Sequence, residues 1–183
     1  HREKADLEPN EIAFILGAEG VQLWGKIDWW SEFVQVRNRT YNVPEIRPWE
    51  KFLHKGSPIA HAEGNDFQLF ASFFKYWIHP RVNIYSKYKY IHKGEGTIKG
   101  IFDEPWMEEG VTIETGYSEK YPSGLLMITR EVVLGAHWFT SQNIQINASL
   151  GYQSITNMNH ILHNNKSGIL ASFMILGSLR TLN

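Results

Sequence analysis

One stretch constrains the whole chain. Residues Phe67 to Lys93 read FQLFASFFKYWIH, then Pro80-Arg81, then VNIYSKYKYIHK. Two runs rich in aromatic and β-branched residues, separated by a proline-containing dipeptide, predict two long strands and a tight turn. In the second run Val82, Ile84, Ser86, Tyr88 and Tyr90 share one face, while Asn83, Tyr85, Lys87 and Lys89 share the other. That is the period of two that a strand imposes on its side chains. Strands of soluble sheets have a mode of about five to six residues, and these runs are about twice that. Long strands with aromatic ends and one polar face suit a membrane-spanning barrel, which needs roughly nine to eleven tilted residues per crossing.

The same grammar recurs along the chain. Residues 1 to 10 are charged and read as loop, with no apolar h-region. Glu11 to Gln22 is a first strand, turning near Trp24-Gly25-Lys26 into a second, Ile27 to Asn38. There Asp28 and Glu32 share one face and Ile27, Trp29 and Phe33 the other. After the central hairpin come Leu125 to Phe139, Ile144 to Ile155 with the cleanest alternation, and Gly168 to Leu182. Long connections run over residues 39–66 and 94–122. Within the second, Val111 to Tyr117 (VTIETGY) reads as an extra hairpin arm.

About seven strands result, with connections alternating short and long as in outer-membrane barrels. The expected fold is therefore all-β: an antiparallel up-and-down transmembrane β-barrel, residues 1–183 forming one partial barrel domain. Placing the short turns in the periplasm puts the long loops outside and leaves the first strand running inward. Complete bacterial barrels have an even strand number and both ends at the periplasm, so the expectation is the C-terminal portion of a larger barrel. A soluble sandwich would instead show shorter strands and no systematic difference between alternate loops.

Composition removes several function classes. The chain of 183 residues has no cysteine, which excludes disulfides, thiolate zinc sites and thiol catalysis. A formal net charge of −1 gives no global field for nucleic acid. No apolar run reaches the roughly 18 residues of a transmembrane helix. A mean hydropathy of −0.32 is compatible with a barrel, whose loops and lumen face are polar.

Charges on strands belong on the lumen side, because Arg or Lys facing lipid at mid-bilayer costs about 2–4 kcal/mol. Asp28, Glu32, Lys87, Lys89, Arg130 and Glu131 are accordingly expected to face inward and pair across the lumen. Arg130 shares the parity of Ile128, Val132 and Leu134, so a bulge or a place near the membrane edge is needed there. His160 with His163, and His54 with His61 and Asp66, are metal candidates without a fixing spacing, and solvated loop histidines are the plainer reading. Ser149, Ser154, His137 and His160 offer the parts of a hydrolase, but no spacing selects a nucleophile–base set. Gly64-Asn65-Asp66 and Lys93-Gly94-Glu95 read as turns, the first also as a calcium turn. Trp49, Trp106, Tyr117 and Tyr121 in the long loops are flat rings able to cover the apolar face of a sugar. Their alternative is interfacial or loop packing. The Asn-x-Ser/Thr matches at Asn38, Asn147 and Asn165 are at chance level.

Several segments resemble the Wzi-like capsule-assembly family of outer-membrane barrels. They are WWSEFVQVRNRTYN (Trp29 to Asn42), FLHKGSPIAHAEGND (Phe52 to Asp66) and YKYIHKGEGTI (Tyr88 to Ile98), with the closing GYQSITNMNH (Gly151 to His160). Lys55-Gly56-Ser57-Pro58-Ile59, Gly64-Asn65-Asp66 and Lys93-Gly94-Glu95 match the family pattern of a Gly-x-Pro segment, a Gly-x-Asp strand opening and a Gly-Glu strand exit. The C-terminus, LRTLN, lacks the terminal aromatic usual for barrel assembly signals. The resemblance implies a non-enzymatic role in assembling or attaching capsular or exopolysaccharide at the bacterial outer membrane. It implies no cofactor and no metal, with surface polysaccharide and outer-membrane lipid as partners. Expected lumen or loop contacts are Glu32, Arg37, Tyr41, His54, Asp66, Lys87, Lys89, Lys93, Glu95 and Trp106. The alternatives are a porin or transport barrel with Lys87 and Lys89 as selectivity wall, an outer-membrane lipid-modifying hydrolase, and a secreted carbohydrate-binding sandwich.

Overall fold

A computed structural model describes residues 3, 7–44, 48–141 and 144–177. Its strands are β1 (Ala13–Leu23), β2 (Ile27–Val36), β3 (Leu53–His54), β4 (Ser57–Pro58), β5 (Phe67–His79), β6 (Val82–Lys93), β7 (Met127–Phe139), β8 (Ile144–Thr156) and β9 (Lys166–Gly177). The seven long strands form one antiparallel sheet in the order β1-β2-β5-β6-β7-β8-β9, so every pair along the chain is adjacent. The up-and-down order and the strand positions expected from the alternation hold. The last strand begins two residues earlier than expected, and residues 178–182 of its expected span lie outside the described residues.

The sheet is open. β1 pairs only with β2 and β9 only with β8, so no barrel is closed within the described residues, where the expectation was part of a larger one. Two expectations are corrected. Val111 to Tyr117 contains no strand. Thr112 and Thr115 instead bond to each other's backbone and hydroxyl groups and curl the segment into a turn, as Thr side chains do when they compete with strand pairing. The first long connection, conversely, contains an unforeseen miniature hairpin, β3–β4. Its turn residues Lys55 and Gly56 both have positive φ (48° and 76°), the geometry that suits a two-residue hairpin.

Register assigns every strand residue to a face. Phe67, Phe73 and Trp77 of β5 stand opposite Lys93, Lys87 and Asn83 of β6, and the latter two stand opposite Val133 and His137 of β7. The long loops fold over this face at one end, which makes it the inner face. On the outer face the residues are Phe14 and Leu16, then Trp29 and Phe33, Phe70, Phe74 and Tyr76, Ile84 and Tyr88. It continues through Val132, Leu134 and Trp138, Ile146, Leu150 and Tyr152, Ile169 and Phe173. Most of these large apolar side chains are exposed.

Among the described residues Arg130 is the one charged strand residue on that outer face, and it corrects the expectation that it points inward. Neither pairing of β7 has a register shift, so no bulge turns it. It lies near the loop end of β7, opposite Tyr90, with its guanidinium 5.3 Å from the Tyr90 ring centroid. His92 Nε2 lies 2.6 Å from the hydroxyl of that same tyrosine.

The core sits on the inner face at the loop end, where Val34, Val36, Phe67, Leu69 and Ile91 are buried together. The loops close it from above. Tyr121 donates its hydroxyl hydrogen towards the carbonyls of Phe67 (2.5 Å) and Val36 (3.3 Å), and the His61 ring lies 4.6 Å from that of Phe67.

Candidate functional site

The loop end is built around two buried side chains. Asp66 closes the first long connection and is fully buried. Its carboxylate accepts from the Gly96 amide (2.8 Å), the Ser123 amide (3.0 Å) and the Ser123 hydroxyl (2.5 Å). Its carbonyl accepts from the Gly94 amide at 2.8 Å. A Cβ at residue 94 or 96 would collide with that carboxylate, so the two glycines are what lets the second loop approach it. Lys93 donates to the carbonyls of Asn65 and Gly96, and the Glu95 carboxylate accepts from the Leu125 amide at 3.2 Å. The motifs Gly64-Asn65-Asp66 and Lys93-Gly94-Glu95 thus meet, with Asp66, Lys93 and Glu95 bonded to each other's segments and to residues 123–125, while the buried Asn65 side-chain amide has no hydrogen-bond partner among the described residues.

Arg39 is the second hub. Its fork donates to Glu119 at 2.6 Å and Asp103 at 2.9 Å, and its Nε to the Asp103 carbonyl at 3.0 Å. The guanidinium lies 5.1 Å from the ring centroid of Trp106. Burial works against the cation, and Glu119 and Asp103 more than restore it, leaving its pKa raised. Bidentate, charge-assisted pairing of this kind is what a guanidinium supplies and an ammonium does not.

These contacts decide several candidates. Trp106, expected as a sugar platform, is 2% exposed. Its ring is covered by Arg39, Phe102 and Tyr117, so it is the core of the second loop. Tyr41 stacks on Phe52 at 5.3 Å. Trp49 is 76% exposed and remains an open ring. His54 is exposed on the miniature hairpin. His61 Nδ1 accepts from the Glu63 amide at 3.1 Å, and burial, the largest influence on it, lowers its pKa. His160 Nδ1 lies 2.7 Å from the Leu125 carbonyl. Among the described residues no three of His, Asp and Glu converge as metal ligands. Arg37 stands over Tyr121 at 5.7 Å and lines a polar cavity of about 520 Å³ with Asn38, Tyr117 and Glu119. A smaller one, about 350 Å³, lies among Asn42, Glu95, Thr97 and Asp103.

Of the strand charges Asp28 pairs with a neighbouring strand, Lys89 with the first long connection, and Glu131 bonds a neutral amide. Asp28 bonds Lys75 of the neighbouring strand at 2.7 Å, Lys89 approaches Glu63 at 3.5 Å, and Glu131 accepts from Gln153 at 3.0 Å. Glu32 lies mid-strand on the same inner face, opposite Ala71 and Gly17. Lys87 is exposed, 5.4 Å from the Tyr85 ring centroid.

Towards the short turns the inner face changes character. Rings follow one another across the strands: Trp30–Phe73 at 6.5 Å, Phe73–Tyr85 at 5.9 Å, Tyr85–His137 at 4.7 Å, and Phe139–Trp77 at 6.2 Å. Tyr85 donates to Asn147 Oδ1 at 3.1 Å, and His137 Nδ1 donates to Asn83 Oδ1 at 3.0 Å. Trp77 Nε1 donates to Asp28 at 3.1 Å, and the Lys75 ammonium lies 5.0 Å from the Trp77 ring centroid. The sequence reading missed this row. Its signal was present in the parity of the aromatics, since Trp30, Phe73, Trp77, Tyr85 and Phe139 fall on the polar side of their strands. No known family model, curated protein or solved structure matches this chain.

Proposed function

We propose that the sheet is the wall of an outer-membrane-type β-barrel that takes part in assembling or attaching surface polysaccharide, without covalent catalysis. The observation that carries this reading is the outer face. From β1 to β9 it is mostly apolar and aromatic, interrupted by Ser31, Ser72, Ser86, Gln35 and Gln68, and among the described residues its one charged strand side chain, Arg130, lies near the loop end. A soluble sandwich would bury such a face against a second sheet, yet here Leu16, Leu134, Leu150, Ile169 and Phe173 are exposed. The strand length fits as well. β5, β7 and β8 have 13 residues each. At about 3.3 Å per residue and a tilt of about 45° such a strand crosses roughly 30 Å, the thickness of the hydrocarbon core.

Two free edges support the same reading from another side. A bilayer does not tolerate unpaired strand edges, so β1 and β9 require partners to close a barrel. The polysaccharide role rests on the resemblance to Wzi-like proteins together with a loop end that is rigidly knit. The test is to delete the gene and complement it with the full-length product. Recovery of the product in the outer-membrane fraction with heat-modifiable gel mobility, and restoration of cell-bound polysaccharide, is the expected result. A product in the soluble fraction would overturn the membrane reading. Unchanged cell-bound polysaccharide in the deletion strain would overturn the polysaccharide role and leave the barrel standing.

A further inference from the structure

We infer that the short-turn half of the inner face is a glycan-binding track. In it Trp30, Phe73 and Trp77 supply stacking surfaces, and His137 and Asn147 supply hydrogen bonds to sugar hydroxyls. The inference rests on the barrel reading above, which makes this face a lumen wall, and it moves the sugar contact away from the external loops.

Four observations carry it. The rings form a row across adjacent strands, and two of its pairs are near parallel, Trp30–Phe73 at 25° and Trp77–Phe139 at 21°. The aromatics are interleaved with amide, imidazole and hydroxyl groups on the same face, so any ligand there meets apolar and hydrogen-bonding surface alternately. A pyranose has that composition: axial C–H groups over its faces and hydroxyls round its rim. A purely apolar ligand would strip water from the half-buried Asn147 and from the Asp28–Lys75 pair without replacing it, which costs free energy.

The charges nearly cancel. On the described inner-face positions Glu19, Asp28, Glu32 and Glu131 stand against Lys75, Lys87, Lys89, Lys93 and Lys166, and Lys93 is bound to carbonyls at the loop end. A wall so near neutral has little net field to select an ion, which favours a neutral sugar chain over ion conduction as its purpose.

The row is also pre-organised. Trp77 is pinned by Asp28. Tyr85 lies across Gly135, where any Cβ would collide with its ring and hydroxyl, and so reaches Asn147 two strands away. His137 carries its hydrogen on Nδ1, donated to Asn83, which leaves Nε2 of the neutral ring as an acceptor. Holding such groups in place before binding lowers the ordering cost of association.

The experiment is a tryptophan-fluorescence titration of the full-length protein in detergent. The probes are oligosaccharides released by mild acid from the host's own surface polysaccharide, with maltohexaose as an unrelated neutral chain. Saturable quenching by the host oligosaccharides is expected. Trp30→Ala and Trp77→Ala should each weaken binding about tenfold, as truncation of a central aromatic anchor does. Trp30→Phe should recover most of the loss, and exposed-loop Trp49→Ala should leave affinity unchanged. All variants should keep outer-membrane location and heat-modifiable mobility, which separates a lost contact from a lost fold. Host-oligosaccharide affinity that is unchanged in Trp30→Ala and Trp77→Ala but lost in Trp49→Ala would overturn the track and leave the polysaccharide role intact. If a correctly inserted protein binds neither probe, both readings fall.

Discussion

The two ends of the inner face are made from the same strands and differ in what their polar groups do. At the loop end Asp66, Lys93 and Arg39 are buried or half-buried and bonded within the protein, above a core of Val34, Val36, Phe67, Leu69 and Ile91. At the short-turn end Trp30 is exposed and Phe73, Trp77, His137 and Asn147 are half-buried, beside amides and paired charges. Groups consumed by internal bonds hold architecture, whereas groups left at a partly open surface are the ones able to meet a ligand. The contrast teaches that the motifs most visible in the sequence, Gly-Asn-Asp and Lys-Gly-Glu, are a clasp between loops.

The contrast is open to attack by substitution. Asp66→Ala should have the largest effect. It orphans the amides of Gly96 and Ser123, and at about 1–3 kcal/mol for each buried unsatisfied group the loss should be about 3–5 kcal/mol. Urea unfolding of the detergent-solubilised protein measures it. Asn147→Ala at the opposite end should cost no more than about 1 kcal/mol. Equal losses at the two sites would erase the distinction between clasp and open surface.

The thickness of the sheet provides a second comparison. Leu150 and Ser149 are neighbours on opposite faces. Leu150→Arg places a cation in lipid and should cost about 2–4 kcal/mol, while Ser149→Arg on a wet face should be tolerated. Assembly into the outer membrane, followed by folding titration in lipid vesicles, reads the difference. The reverse ranking would exchange the two faces and end the membrane reading.

Smaller effects sharpen the picture of the loop end. Arg39→Lys keeps the charge but gives up the fork to Glu119 and Asp103, for a loss of about 1–2 kcal/mol. It should show as faster proteolysis within residues 94–122 with the strands intact. The smallest effect is that of pH. His61 has a folded pKa below its ordinary value of 6.5, chiefly through burial. As pH falls through 6.5 the unfolded chain takes up the proton first, so the stabilisation present at neutral pH is lost progressively until the folded pKa is passed. Protonation at Nδ1 also removes the acceptor of the Glu63 amide. His61→Gln should flatten the slope of stability between pH 7 and 5, and an unaltered slope would show that other groups govern it.

Much of the fold was legible because a strand reports itself locally. The parity of Val82 to Tyr90 and of Ile144 to Tyr152 is set by a backbone geometry that repeats every two residues. Parity also gave the inward facing of Asp28, Glu32, Lys87 and Lys89, and it flagged Arg130 as an exception. The candidate site was far less legible. Nothing in Trp106 or Trp49 distinguishes a buried ring from an exposed one, since the outcome depends on whether Arg39 and Phe102 fold over it. The row from Trp30 to Phe139 was hidden for a related reason. Its members are scattered over four strands, and only the cross-strand register brings Phe73 beside Tyr85 and Phe139 beside Trp77.

The sequence by itself determined the strand class, the strand order with its alternating loop lengths, and which residues share a side of each strand. Those follow from local periodicity and turn chemistry, which act over a few residues. Only the tertiary structure decided that Asp66 and Arg39 are internal clasps and that the aromatics of four strands form one row. Those are consequences of register and of loops meeting across the sheet, where partners distant in the chain compete for the same hydrogen bonds and the same buried volume.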